Sequence, residues 1–256
     1  YIQDGTSAGI PIVTCEKGAL SNHYEDLIDK ISMIGFNATV GGGTGMLSFV
    51  RDNAQRPGVE GVFGVVNGTL GYLCDRMSQG VKLDDAVAEA IDAGYTEPGA
   101  TLPIKVINSE LGDNYKKAAI IANTSGLSSL VIKANNFPAN PITPEDIEIL
   151  KENAGNMRYV VGIVKGEQTG EPRIGGFEYK LDDQSNGWKI ETGFRDITED
   201  PALQRLKTVG PNNRMVVDVG ACGIYDIGGP GAGPAATAHA MIRDAYNLRA
   251  RHHKEE

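Results

Sequence analysis

Cysteine is scarce in this chain, and its three copies, Cys15, Cys74 and Cys222, are odd in number and far apart. That spacing excludes a disulfide framework and any C-x-x-C metal or redox site. The four histidines (His23, His239, His252 and His253) show no ligand spacing beyond the tail pair, so a zinc-type centre has no support. No Ser-His-Asp or Cys-His arrangement stands out either. Basic runs with interleaved aromatics are missing as well. With 24 Lys+Arg against 33 Asp+Glu the net charge is −9, and nucleic acid is excluded as a partner. There is no apolar run of membrane length and no cationic leader, which makes the cytoplasm the default location. No G-x-G-x-x-G follows a first strand near Tyr1, so an ordinary dinucleotide fingerprint is lacking. The chain opens on Tyr1 rather than Met, and a trimmed front end is expected.

What is present is a globular composition. The 256 residues, 41% hydrophobic with 33 glycines, suffice for a proper core in one large or two small domains. The acidic balance points to a small ligand rather than a polymer. The glycine-rich phrase Gly228-Gly229-Pro230-Gly231-Ala232-Gly233, running into Pro234 and an amphipathic tail, exposes backbone amides ahead of a helix start, where a ligand can approach closely.

Along the chain, Ile10 to Thr14 reads as a strand and Leu20, Tyr24, Leu27, Ile28, Ile31 and Ile34 as one helix, closed by Gly35 at C′. Phe36 to Val40 reads as a second strand, completing a βαβ-like unit with Gly41-Gly42-Gly43 at the strand end where ligands gather in open α/β sheets. Val59 to Val66 is a strand, followed by helices over about Leu70 to Ser78 and Asp84 to Ala93. Pro98, Gly99 and Pro103 mark a long functional loop from Gly94 to Gly112, after which Asp113 to Ala122 is helical. Thr143-Pro144-Glu145-Asp146 is a helix start signal. Beyond it, β-rich runs at 158–165, 173–181, 188–194, 214–219 and 222–227 suggest an antiparallel or mixed sheet, and a closing helix covers Ala235 to about Ala250. The fold class is α/β (α+β-like), with helices on one face of the sheet.

Asp113 and Lys117 stand at i and i+4, on one helix face. The plainer reading is a solvated ion pair worth ~0.2–0.5 kcal/mol. The sharper one is a catalytic pair, in which a lysine desolvated in a cleft exchanges protons with an alcohol. Lys116 beside it leaves open which lysine faces a pocket. Glu97, after Gly94-Tyr95-Thr96, is placed to hold a ligand ammonium or simply to be solvated. Lys17, past the first strand, would meet a ligand carboxylate or phosphate, or stand free on its loop.

Six phrases, in order from about Ile10 to Asp244, carry a resemblance: IPIVTCEK, FNATVGGGTGML, VFGVVNGTLGYLCDRM, AVAEAIDAGYTEPGA, DNYKKAAIIA and GGPGAGPAATAHAMIRD. Together they resemble the homoserine dehydrogenases. The resemblance implies a Rossmann-type nucleotide-binding domain, of which residues 1–36 are a remnant, and a mixed-sheet substrate-binding and dimerisation domain over 37–228. Residues 229–256 would be the loop and helix that close back on the first part. It implies an oxidoreductase of amino-acid biosynthesis, on the route to threonine and methionine, which transfers hydride between NAD or NADP and the aspartate semialdehyde/homoserine pair as a homodimer. Without the front strands, such a chain would bind the cofactor poorly.

By the same resemblance, Lys117 is the proton-transferring lysine and Asp113 its acidic partner. Glu97 binds the amino group, Thr69 with Gly68 and Tyr95 positions the substrate, and Lys17 lies between substrate and nicotinamide. Thr14, Lys17, Gly229, Gly231 and Gly233 line the cofactor cleft, and the carbonyls of Val40 and Gly42 hold a monovalent cation. The departures are specific. Glu16 replaces an asparagine near the cofactor, and Asn37 replaces the cation-binding glutamate. About five extra residues separate Glu97 from Asp113, leaving Asn108 and Glu110 as nearest counterparts of a further substrate-binding aspartate. The altered 97–113 stretch leaves open a dehydrogenase for another short aldehyde, and a scaffold that kept the fold and lost the chemistry, a non-catalytic dimerisation or regulatory module, is the further alternative.

Overall fold

The computed structural model describes residues 1–96, 99–153, 155–166, 174–181, 187–198 and 200–252. In chain order the elements are α1 (Ile2–Ser7), β1 (Ile12–Val13), α2 (Gly18–Asn22), β2 (Ile34–Gly35), α3 (Met46–Asn53), β3 (Gly61–Val65), α4 (Gly68–Ser78), α5 (Leu83–Asp92) and α6 (Pro103–Ser125). There follow α7 (Pro144–Glu152), β4 (Met157–Lys165), β5 (Glu178–Lys180), β6 (Trp188–Asp196), α8 (Pro201–Gln204), β7 (Asn212–Asp218), β8 (Ile224–Pro230) and α9 (Pro234–His252).

Strands β1 and β2 form a two-stranded parallel sheet, Ile12 opposite Ile34 and Val13 opposite Gly35. The connection between them is not the single helix that its apolar spacing suggests. After α2 the chain takes 3-10 turns at Tyr24–Asp26 and Ile28–Met33. Leu20, Tyr24 and Leu27 are buried as expected, but Asn22, His23, Asp26 and Asp29 are weak helix formers that favour local turns, and Ile28 points outward. The second strand ends at Gly35, and Asn37–Thr39 form a 3-10 turn instead of continuing it. The reason is tertiary: the Asn37 backbone N–H and side-chain amide both donate to Asp244 on α9, at 2.8 and 2.6 Å, and draw the chain off the sheet. Gly35 is thus no helix cap. It is a strand residue pressed on α9, where a Cβ would lie 2.6 Å from that of Asp244.

The main sheet has the order β5-β6-β4-β3-β7-β8 and is antiparallel at every pairing. Val62, Ile163, Val217 and Ile190 face the core that carries α3 and α6, and Tyr159 meets Phe194 edge-on at 5.0 Å beside α4 and α7. The opposite face, Phe63, Val160, Val164 and Val216, is covered by Ala202 and Leu203 of short α8. Each such side chain contributes about 1.5–3 kcal/mol by burial, so a one-residue slip that exchanged the faces would be strongly disfavoured.

Helix α6 corrects the expected long loop. It begins at Pro103, ten residues before Asp113, because proline at the first helical position lacks only an N–H that would have no intrahelical partner. Only residues 93–102 separate α5 from α6, and Glu97 and Pro98 fall outside the described residues. The start signal at Thr143 is a complete capping box with Asp146. At the far end, Gly228 to Pro230 belong to β8, with Gly229 opposite Asn213, so only residues 231–233 form the bend into α9. Among the described residues no helix is long and apolar enough to cross a membrane.

Candidate active site

The end of β3, the start of β7 and the end of β8 reach the same margin of the sheet, where α4 and α9 begin and α6 passes across. The ends of β1 and β2 meet this margin too. Between them lies a cleft of about 720 Å³.

Asn67 organises its floor. It caps α4, accepting from the N–H of Leu70 at 2.9 Å. Its amide nitrogen donates to Glu110 Oε2 at 2.7 Å and to Asp113 Oδ2 at 3.3 Å. Glu110, Asp113 and Lys117 share one face of α6 by their i, i+3 and i+7 spacing. Lys117 is 8% exposed; its Nζ lies 2.7 Å from Asp113 Oδ2 and donates to the Val66 carbonyl at 2.5 Å. Two of the three ammonium protons are thereby engaged, and one is left for a ligand oxygen. Lys17 approaches Asp113 from the other side, Nζ to Oδ1 3.5 Å. Lys116 is exposed on a different face of α6, so Lys117 is the lysine of the cleft.

The carboxylates are pushed in opposite directions. Burial raises Glu110 above the ordinary carboxylate range and the neighbouring Asp113 charge adds to this, against the hydrogen bond from Asn67. Burial acts the same way on Asp113, but the Lys117 charge and hydrogen bond, with Lys17 and Asn67, outweigh it and hold Asp113 low. One acid therefore stays ionised beside two ammonium groups, and the other holds its proton more readily.

Thr69 and Gly68 line the cleft at the first turn of α4, and the Thr69 hydroxyl donates to the Tyr95 carbonyl at 2.5 Å. The Tyr95 ring packs on Tyr72, centroids 5.1 Å apart. Opposite them, Gly231 and Gly233 form the wall with Gly42, and the contact is backbone to backbone: a Cβ on Gly42 would lie 2.9 Å from the Gly231 carbonyl carbon. Asn213 lies behind this wall, 1% exposed and with its amide atoms unpartnered among the described residues, and a Cβ on Gly231 would fall 2.1 Å from its Cγ.

The structure thus brings together Lys17, Gly42, Gly68, Thr69, Tyr95, Asp113, Lys117, Gly231 and Gly233. It leaves two residues expected at the cofactor out of the wall: Thr14 turns its hydroxyl to the N–H of Glu16 at 3.0 Å, and Gly229 is held in β8. Val40, whose carbonyl is the expected cation ligand, buries its side chain in the core. Asn37 cannot replace a cation-binding carboxylate. It is neutral, its amide nitrogen is bound to Asp244, and its oxygen accepts from the Ser48 N–H and hydroxyl at 3.1 and 2.8 Å. Its oxygen is therefore already occupied where the glutamate would hold a cation, and no metal-binding cluster of His, Cys, Asp or Glu exists among the described residues. Glu16 accepts from the N–H groups of Gly18 and Ala19 at 2.7 and 3.1 Å, and these bonds, that from Gly18 foremost, lower its pKa against the effect of burial. Its charge is thus absorbed by the start of α2. Asn67 escaped the sequence reading as a site residue, although an asparagine before Gly-Thr at a strand-to-helix junction is a capping signal.

A family model described as homoserine dehydrogenase matches residues 46–245. The homoserine dehydrogenase of Pyrococcus horikoshii is 27% identical over 241 residues, covering 92% of this chain and 63% of that protein. That of Sulfurisphaera tokodaii is 31% identical over 247 residues, covering 94% of this chain and 68% of the relative. The chain therefore spans about two thirds of the length of these relatives. Among solved structures, a hyperthermophilic archaeal homoserine dehydrogenase in complex with NADPH superposes with a TM-score of 0.66 at 23% identity, covering 97% of this chain and 67% of that one.

Proposed function

The chain belongs to the homoserine dehydrogenase family, and from that premise we propose that it carries the catalytic part of an NAD(P)-dependent interconversion of L-aspartate 4-semialdehyde and L-homoserine. The observation that carries the reading is the meeting of Lys117, Asp113 and Lys17 in one cleft with the glycines Gly231 and Gly233 opposite. The nicotinamide supplies or receives the hydride.

In the direction of reduction, the carbonyl carbon gains hydride and its oxygen gains a proton. Lys117 holds that proton: Val66 and Asp113 anchor the ammonium, which leaves its third N–H for the oxygen on which negative charge develops. In oxidation the same nitrogen, once neutral, takes the hydroxyl proton. Asp113 stays ionised and keeps both lysines in place. Glu110, which lines the cleft beside Asn67, is proposed to receive the substrate ammonium, with Glu97 as the further candidate. Thr69, Gly68 and Tyr95 bound the substrate side. On the cofactor side stand Lys17 and the glycines Gly231 and Gly233, whose lack of side chains permits close approach. The enzyme is proposed to act as a homodimer, in the biosynthesis of threonine and methionine.

The test is consumption of NADPH, and separately NADH, with aspartate semialdehyde, comparing the unaltered protein with Lys117→Ala. A rate lower by a factor of about 10² or more, on the scale of lost general-acid catalysis, is expected. Equal rates in the two proteins would reject the mechanism. Turnover of other short aldehydes with none of the semialdehyde would reject the substrate, in favour of the reading that the longer 97–113 stretch changes specificity.

A further inference from the structure

A second cavity, of about 370 Å³, lies on the far side of the β1–β2 sheet and shares no wall residue with the cleft. It is enclosed by β2 and the turn after it, α3, the end of α6 and the last turns of α9. Its composition is unlike a packing defect. Packing defects left empty are apolar, whereas Arg51 and Arg251 stand at this mouth and neither is paired with a carboxylate among the described residues.

Deeper in, Thr124 is 6% exposed and its hydroxyl has no hydrogen-bond partner among the described residues. Burying a hydroxyl without a partner is costly, so such a group in a cavity wall points to an absent one. One carboxylate, Asp244, also contributes to the wall, but its oxygens are engaged by the N–H and side-chain amide of Asn37 at 2.8 and 2.6 Å. Among the described residues, two guanidinium groups without a carboxylate partner therefore outnumber one acid whose oxygens are already engaged. Arg51 is partly pre-positioned, its guanidinium 5.8 Å from the centre of the Phe36 ring. Planar forks of this kind recognise carboxylate and phosphate oxygens.

We infer that this cavity, closed by Arg51, Arg251 and Thr124, is a second binding site for a small anion bearing a carboxylate or a phosphate. The anion binds its charged oxygens to the two guanidinium groups and reaches the Thr124 hydroxyl inside. The site contains none of the proposed reacting groups, so it binds without catalysing.

The experiment titrates the protein with inorganic phosphate and, separately, with malonate, against sodium chloride at equal ionic strength, reading heat of binding and thermal unfolding. Saturable binding of at least one of the two above the chloride control is expected, and the stronger of the two identifies the preferred head group. Arg51→Gln and Thr124→Val should each weaken it by about fivefold or more, while Lys17→Gln, in the first cleft, should leave it unchanged. Arg51 is exposed, so its variant is expected to fold; if Thr124→Val does not, Arg251→Gln provides the second reading. Absence of saturable binding, binding indifferent to Arg51→Gln and Arg251→Gln, or binding abolished by Lys17→Gln would each overturn the inference.

Discussion

Lys117 and its neighbours show how much depends on single atoms. The ammonium is nearly buried and held by one carbonyl and one carboxylate, so Lys117→Ala leaves Asp113 with Lys17 as its remaining cationic partner. Lys117→Arg keeps the charge, but a planar fork cannot reproduce the position of a point ammonium, and it should restore little of the rate. The acids give a prediction in pH. Glu110 is raised, so the folded protein binds that proton more tightly than the unfolded chain does; its contribution is full below the ordinary carboxylate pKa and is lost as pH rises through the raised value. Asp113 is lowered, so it stabilises above its ordinary value, and that gain is lost as pH falls through the lowered one. Glu110→Gln should therefore stabilise the protein relative to the parent on the alkaline side of this window. Urea midpoints from about pH 4 to about pH 8 would measure it, and coincident curves would contradict the assignment. Gly231→Ala would drive a methyl group into Asn213, displacing the bend that forms the proposed cofactor wall. The expected result is a raised KM for the dinucleotide together with a lower Tm, since overpacking against a buried side chain typically costs about 1–3 kcal/mol.

At the scale of elements, two helices make separable predictions. Helix α7 begins in a reciprocal capping box, the Thr143 hydroxyl accepting from Asp146 N–H at 3.2 Å while the Asp146 carboxylate accepts from Thr143 N–H at 2.9 Å. Thr143→Ala should cost about 1 kcal/mol, read as a shift of the denaturant midpoint with unchanged slope. Helix α6 carries Gly112 in its interior, exposed, with nothing within 4 Å of an added Cβ. Gly112→Ala should accordingly stabilise the protein by about 0.5–1 kcal/mol. A loss of stability there would mean that α6 needs its flexibility next to Asp113. The helices also mark where local pattern is legible. The capping box, the proline start and the stripe of α5 are short-range signals, each complete within a few residues. The 20–34 segment has a helical stripe, but its Asn, His and Asp residues favour turns, and burial of Leu20, Tyr24 and Leu27 is satisfied without a continuous helix. The loop expected before Gly112 failed for a related reason: Lys105, Asn108, Ser109 and Glu110 interrupt the apolar pattern on the faces of α6 turned to water and to the cleft, which hides its first turns.

For the whole molecule, the proposed homodimer predicts a mass in solution of twice the 27.2 kDa chain, measured by light scattering after size exclusion. A monomer at micromolar concentration would remove dimerisation from the proposal without touching the cleft. What the amino-acid order determined by itself was the inventory: the family phrases, the β-rich runs that became the strands, the helix starts, and the pairing of Asp113 with Lys117 on one helical face. These are legible because they depend on neighbours within one or two turns or on residue types that few other patterns share. Only the tertiary structure decided that Lys117 rather than Lys116 enters the cleft, that Asn67 ties Glu110 to Asp113, that Asn37 belongs to Asp244 and Ser48 rather than to a cation, and that Arg51 and Thr124 meet in a second cavity. Each of those outcomes joins residues tens to hundreds of positions apart, or depends on which face of a helix packing turns inward, and neither periodicity nor composition encodes that.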